Sequence, residues 1–125
     1  MTLRRIACVE DEPDIRELTE MALRDFSGYD VRTFPSGPDA LDGLAEFAPD
    51  LVVLDAMMPG MDGMTVLKEM RARPHLAGMP VVFMTAATSE ANVREFMAAG
   101  ALGVVAKPYD PMTLGMQLAA FVPSG

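Results

Sequence analysis

Short apolar runs alternate along this chain with longer stretches whose apolar positions recur every three or four residues. The runs at 4–9, 29–34, 51–54, 80–84 and 103–106 predict five strands. The amphipathic stretches at 14–26, 36–47, 65–73, 89–99 and 111–121 predict five helices. Ile15, Leu18 and Ala22, with Met21 beside them, form the expected inward face of the first helix. Ala40, Leu41, Leu44 and Phe47 form that of the second. Punctuating residues agree with these limits. Pro13 suits the first turn of helix one and Gly28 its stop. Ser36 and Ser89 are expected caps, Pro74 follows the end of helix three, and Gly100 stops helix four. Gly43 weakens the second helix.

Five βα units in succession imply a parallel sheet covered on both faces. The unbroken run Leu51-Val52-Val53-Leu54 fits a strand buried on both sides. An eight-unit barrel needs about 250 residues, more than the 125 present. The expected fold is therefore α/β: a doubly wound, flavodoxin-like, five-stranded parallel sheet in the order 2-1-3-4-5. A single domain over residues 1–125 is expected. No internal repeat or low-complexity tract interrupts it. The tail Val122-Pro123-Ser124-Gly125 fits either a natural end or the stub of a linker.

Charge narrows the function classes. A net charge of -8 argues against a nucleic-acid surface, which needs clustered Lys and Arg. Some of that charge is gathered at Glu10, Asp11, Glu12 and Asp14, which points to a cation partner. The lone cysteine, Cys8, excludes an intramolecular disulfide framework and reads as a buried, inert thiol in the first strand. No apolar run approaches the roughly 20 residues of a membrane span. The start, Met1-Thr2-Leu3-Arg4-Arg5, lacks the apolar region and cleavage site of a signal peptide. A cytoplasmic protein with no membrane partner is expected.

Candidate chemistry gathers at strand ends. Glu10-Asp11 follows the first strand, Asp55 the third, Thr85 the fourth and Lys107 the fifth. Taken singly, each has a plain structural role: acids complement a helix dipole, Asp55 forms a turn, Thr85 caps, and Lys107 is solvated. In the order 2-1-3-4-5, however, all of them reach one edge of the sheet, with Asp55 between the acid pair and Thr85. Three carboxylates together repel one another unless a cation joins them. Mg2+, a hard ion that takes oxygen ligands, suits the set. Asp11 and Asp55 are the expected direct ligands, with a backbone carbonyl just after Asp55, and Glu10 acting through water. Asp55 would be a nucleophile towards a phosphoryl group. Thr85 would bond one phosphoryl oxygen, and Lys107 would place a positive charge on another.

Other chemistries fit less well. Glu10-Asp11-Glu12 would repel the phosphate of a flavin. No GxxxxGK[ST] loop is present. A serine hydrolase wants a nucleophile elbow and a histidine partner, whereas the single histidine, His75, sits beside Pro74 in an expected loop. A zinc site lacks His and Cys ligands. A haloacid-dehalogenase-type phosphatase wants a second Asp two residues past the nucleophile, where this chain has Met57.

The residues resemble the receiver domain of bacterial two-component response regulators, of the chemotaxis-regulator type, over essentially the whole chain. The resemblance rests on residues 9–18 (VEDEPDIREL), 54–63 (LDAMMPGMDG), Met84-Thr85-Ala86 and Lys107-Pro108-Tyr109. It implies transfer of a phosphoryl group to Asp55 from a histidine kinase or a phosphotransfer protein. It implies Mg2+ at Glu10, Asp11 and Asp55, completed by the Met57 carbonyl, and a cis Lys107-Pro108 bond. Docking of the kinase is implied around the first helix, where Ile15 and Leu18 are either contacts or core, and around the loop after strand five.

Two departures bear on the switch. The family's usual aromatic three residues before the Lys is here Val104, which puts the usual aromatic readout in question. The positions two past the Asp and two past the Thr are Met57 and Ala87, neither able to orient an attacking water, so slow self-dephosphorylation is expected. Most of the twelve methionines read as core filler. Some, with Met112 and Met116 one turn apart on helix five, read as a partner surface on helices four and five. Those helices lack a pattern of complementary charges, which favours a monomer over a dimer. No DNA-binding helix pair follows Phe121 within the chain, so the expected target is a protein. The expected function is a phosphorylation-dependent signalling switch, not an enzyme beyond its own phosphorylation and dephosphorylation. The alternatives are a receiver-like binding module that does not use phosphorylation and a Mg-dependent aspartyl phosphatase.

Overall fold

The computed structural model describes residues 3–122. Met1-Thr2 and Pro123-Ser124-Gly125, which hold parts of the signal-peptide and linker-stub readings, lie outside the described residues. The strands are β1 (Arg5–Val9), β2 (Asp30–Phe34), β3 (Leu51–Asp55), β4 (Val81–Thr85) and β5 (Gly103–Ala106). They pair in parallel in the order β2-β1-β3-β4-β5, as the βα alternation predicted. The helices are α1 (Pro13–Met21), α2 (Gly37–Phe47), α3 (Gly63–Ala72), α4 (Glu90–Ala98) and α5 (Leu114–Phe121).

Successive strand side chains point to opposite faces and divide the core in two. On one face α2, α3 and α4 pack through Leu44, Leu67 and Phe96 onto Val52, Leu54 and Phe83. On the other, Leu23 and the α5 residues Leu114 and Leu118 pack onto Ile6, Val53 and Met84. All five residues of β3 and all five of β4 are buried. Cys8 is also buried, and desolvation pushes its thiol up to about 12, which leaves it inert.

Several boundaries and one face differ from the sequence expectation. Leu18 and Met21 are exposed; the buried residues of the first helical stretch are Thr19, Ala22 and Leu23. Thr19 tolerates burial because its hydroxyl donates to the Ile15 carbonyl at 2.7 Å and also bonds the Tyr109 hydroxyl. Beyond Met21 the helix widens into a π-helical turn, Ala22–Phe26, which closes at Gly28 with φ +76°. Gly43 has a packing reason: a Cβ there would lie 2.5 Å from the Phe34 ring. Helix α5 starts at Leu114 rather than Pro111, so Met112 precedes it. Asp110 holds the intervening turn by accepting from the Met112, Thr113 and Leu114 amides.

Ser36 and Ser89 cap α2 and α4, accepting from the Asp39 and Asn92 amides. Helix α3 starts two residues earlier than expected because Asp62 caps it, accepting from the Thr65 amide at 2.9 Å. The Thr65 backbone N–H, then its side chain, hold the Asp62 carboxyl below its ordinary value. A lowered folded pKa means the stabilisation is present above the unfolded value and is lost as pH falls through the folded one. Asp62→Ala is expected to cost about 1 kcal/mol near pH 7, and less at pH 3. Urea denaturation of both proteins at the two pH values checks this; an equal cost at both would contradict it.

Candidate functional site

Parallel strands bring their carboxyl ends to one edge of the sheet, where open α/β folds bind ligands. Asp55 and Thr85 are the last residues of β3 and β4, and Glu10 and Lys107 directly follow β1 and β5. These four, with Asp11 and Met57, line a single cleft of about 290 Å³. The expected site residues therefore meet, although they come from four separate strands.

The geometry inside the cleft is specific. Carboxylate oxygens of Glu10, Asp11 and Asp55 all lie within 4.8 Å of one another, a spacing able to hold a metal ion. Lys107 Nζ donates to Glu10 Oε1 at 2.6 Å and lies 3.3 Å from Asp55 Oδ1. The Met57 amide donates to Asp55 Oδ1 at 3.2 Å, and the Glu12 amide donates to Glu10 Oε2 at 3.3 Å. Thr85 Oγ1 accepts from the Ala87 amide at 3.0 Å, so the hydroxyl is already oriented at the cleft wall. The Lys107-Pro108 bond is cis.

Charge is unevenly balanced here. Glu10 is only 2% exposed, and burial, reinforced by the neighbouring Asp55 carboxylate, pushes its carboxyl up to about 7 against the opposing pull of Lys107. Burial also disfavours the Lys107 ammonium, but Glu10 and Asp55 outweigh it and hold that group above its ordinary value. One ammonium pairs with two of the three carboxylates, Glu10 and Asp55, and a hard cation held by Glu10, Asp11 and Asp55 would restore the balance.

Two neighbouring surfaces differ in character. Ile15 and Leu18 line an apolar groove of about 270 Å³ with Ala86, Pro108 and Tyr109, beside the acidic cleft. Val104 pairs with Phe83 across β4 and β5 and packs half-buried on the α4 side of the sheet, outside the cleft lining. Met57 is 72% exposed at the cleft, whereas Met58 is buried in the core.

Two residues that shape the site escaped the sequence reading. Gly63, at the start of α3, lies so close to the end of β3 that a Cβ would stand 2.4 Å from the Asp55 carbonyl oxygen. Arg16 donates from Nη1 to the Glu10 carbonyl at 3.0 Å and to the Asp11 carbonyl at 3.4 Å. Its position five and six residues past the acid pair, one turn into a helix, was the available signal.

Among the described residues no helix is long and apolar enough to cross a membrane. The family model for the response regulator receiver domain matches residues 6–119. The DNA-binding response regulator MtrA of Mycolicibacterium smegmatis is 38% identical over 111 residues, covering 89% of this chain and 47% of that protein. The chain thus spans about half the length of the curated relatives it matches. The solved structure of Vibrio cholerae chemotaxis protein CheY4 superposes with a TM-score of 0.88 at 30% identity, covering 97% of this chain and 100% of that one. A BeF3-activated DrrB receiver domain gives 0.79 at 29% identity, covering 96% and 97%. With the strand order and the strand-end acids in agreement, the chain belongs to the receiver domain family of two-component response regulators.

Proposed function

We propose that residues 1–125 act as one phosphorylation-dependent signalling switch whose acceptor is Asp55. The observation that carries this reading is the convergence of three carboxylates with Lys107 Nζ, 3.3 Å from Asp55 Oδ1. Mg2+ fits the set, with Glu10, Asp11, Asp55 and the Met57 carbonyl as its holders, and when bound it would neutralise charge on the incoming phosphoryl group. An Asp55 oxygen attacks phosphorus, the phosphorus–nitrogen bond of a phosphohistidine breaks, and the histidine leaves with the pair of electrons. The Met57 amide and Lys107 hold the Asp55 carboxylate in place. Lys107 then supplies a fixed positive charge to a phosphoryl oxygen, and Thr85, whose oxygen accepts from the Ala87 amide, donates its hydroxyl proton to another.

The donor is a histidine kinase or a phosphotransfer protein, and the groove lined by Ile15, Leu18, Pro108 and Tyr109 is apolar surface beside the acceptor for it. The target is a second protein; a net charge of -8 supports that over direct nucleic-acid contact by this chain. Incubation with acetyl phosphate tests the reading by intact mass: one added phosphoryl group with Mg2+ and none with EDTA is expected. No uptake with Mg2+, either from acetyl phosphate or from a phosphorylated kinase, would leave only the phosphorylation-independent binding module.

The lifetime of the acyl phosphate follows from the cleft walls. Neither Met57 nor Ala87 carries a polar side-chain group to direct a water, so self-dephosphorylation is expected to be slow. Met57→Asn and Ala87→Glu are expected to shorten the lifetime, each by about tenfold, below the roughly 100-fold low end of general acid–base catalysis because each only helps to orient the water. Loss of the added mass over time measures it, and unchanged decay in both variants would count against the idea.

A further inference from the structure

The geometry points to Arg16 as a positioning residue that holds the Glu10–Glu12 segment with its acidic side chains towards the cleft. This rests on the Mg2+ reading of the acid cluster. Two successive carbonyls of that segment accept hydrogen bonds from the Arg16 guanidinium, and a third, Glu12 O, accepts the helical bond that the backbone amide at position 16 makes whatever its side chain. Arg16 Nη1 donates to Glu10 O at 3.0 Å and Asp11 O at 3.4 Å, and the Arg16 backbone amide donates to Glu12 O at 2.9 Å. The Glu10 amide is in turn fixed to the Phe34 carbonyl of β2 at 3.0 Å. With its carbonyls bound on the α1 side, the segment cannot rotate its peptide planes without breaking several bonds at once.

The guanidinium is used unusually. Glu12, Asp14, Glu17 and Glu20 are close in the sequence, yet among the described residues Arg16 forms no ion pair with any carboxylate. It is half-buried and does not line the cleft. It therefore touches neither the acceptor oxygen nor the space where a cation would sit, and it acts through the main chain of the residues that do. A planar group with several donors can serve adjacent carbonyls together, which a Lys ammonium on a flexible stem does less well.

Two explanations of Arg16 predict opposite signs. If its charge alone matters, removing it relieves repulsion of a nearby cation, and Mg2+ binds more tightly. If it positions the acids, removing it frees the segment, and Mg2+ binds more weakly despite the favourable change in charge. Loss of a residue that orients metal ligands through hydrogen bonds typically costs about tenfold in affinity or more.

The experiment compares the full chain with Arg16→Met and Arg16→Lys by calorimetric Mg2+ titration and by hydrogen exchange of the metal-free proteins. Arg16→Met is expected to bind Mg2+ about tenfold more weakly, and to exchange the Glu12 amide faster without metal. Arg16→Lys, which keeps the charge, is expected to be weakened as well. Equal or tighter Mg2+ binding in Arg16→Met overturns the proposal, as does unchanged Glu12 exchange. If circular dichroism shows Arg16→Met unfolded, Arg16→Lys carries the same two criteria. If the unaltered chain binds no Mg2+, the cation reading fails by itself, and metal-free exchange alone then decides whether Arg16 holds the segment.

Discussion

Asp55→Asn is expected to take up no phosphoryl group under conditions that load the unaltered chain fully. An amide keeps the size and shape of the carboxylate but lacks its charge and nucleophilicity, so attack on phosphorus has no other well-placed oxygen to use. Glu10 is the nearest competitor, and it is engaged by Lys107 and the Glu12 amide. The same substitution has a second consequence. Asp55 is 4% exposed and shares its surroundings with Glu10 and Asp11, so its charge is a source of repulsion in the metal-free protein. The variant is therefore expected to melt at a higher temperature than the unaltered chain in EDTA, and to gain less from added Mg2+. Intact mass after acetyl phosphate treatment reads the first effect, and thermal melts with and without Mg2+ read the second. Phosphoryl uptake by the Asn variant would remove Asp55 as the acceptor.

Gly63→Ala is expected to be the most damaging single-methyl change in the loop that carries the acceptor. The added carbon would stand 2.4 Å from the Asp55 carbonyl oxygen and 2.9 Å from the Ala56 Cα. Both obstacles are backbone, so no rotamer change relieves the contact. Either α3 retreats from β3 or the end of β3 moves, and overpacking of this kind costs about 1–3 kcal/mol or more. A shift at Asp55 also disturbs its contacts with Lys107 and the Met57 amide, so phosphorylation is expected to slow beyond the loss of stability. Gly78 is the internal control: nothing lies within 4 Å of its would-be Cβ, and Gly78→Ala is expected to be close to neutral. Urea denaturation and phosphorylation rates of the two variants provide the comparison, and equal behaviour would sink the argument.

Arg16 and Gly63 belong to one structural theme. The acidic side chains are held by Lys107, which bridges Glu10 and Asp55, and by main-chain geometry on either side. Gly63 permits α3 to approach β3 from one side of the sheet. Arg16 fastens the β1–α1 segment from α1, and Thr19 joins the same helix to Tyr109 in the loop after β5. The elements around the cleft are thus linked by contacts that do not involve the three clustered carboxylate groups.

The α4 and α5 layers carry a different chemistry. Val104 packs, partly buried, against the core cluster that contains the Phe83 and Phe96 rings, which stack with centroids 4.5 Å apart. A valine there has no ring or hydroxyl to bring inward, and the aromatic surface between β4 and α4 is supplied by Phe83 and Phe96 instead. Met112 and Met116, 64% and 74% exposed, stand just before α5 and in its first turn as apolar surface on the opposite layer.

By itself the sequence determined the βα alternation, the parallel order and the strand-end positions of Glu10, Asp55, Thr85 and Lys107. Those follow from local rules: the periodicity of apolar residues, and helix caps and stops such as Ser36, Ser89 and Gly100. Local rules failed where a partner distant in the chain decided the outcome. Thr19 is buried because Tyr109 meets its hydroxyl, and Gly43 is tolerated inside α2 because the Phe34 ring needs the space. Gly63 is required at the start of α3 because the end of β3 lies against it, whereas the Asp62 cap on Thr65 is a local signal that the sequence reading passed over. Only the tertiary structure decided that Lys107 bridges Glu10 and Asp55 across residues far apart in the chain, and that Arg16 turns its charge to carbonyls rather than to the acids beside it. Hydrophobic periodicity repeats along the chain and can be read from it, whereas these contacts depend on which surfaces the folded sheet and helices bring together.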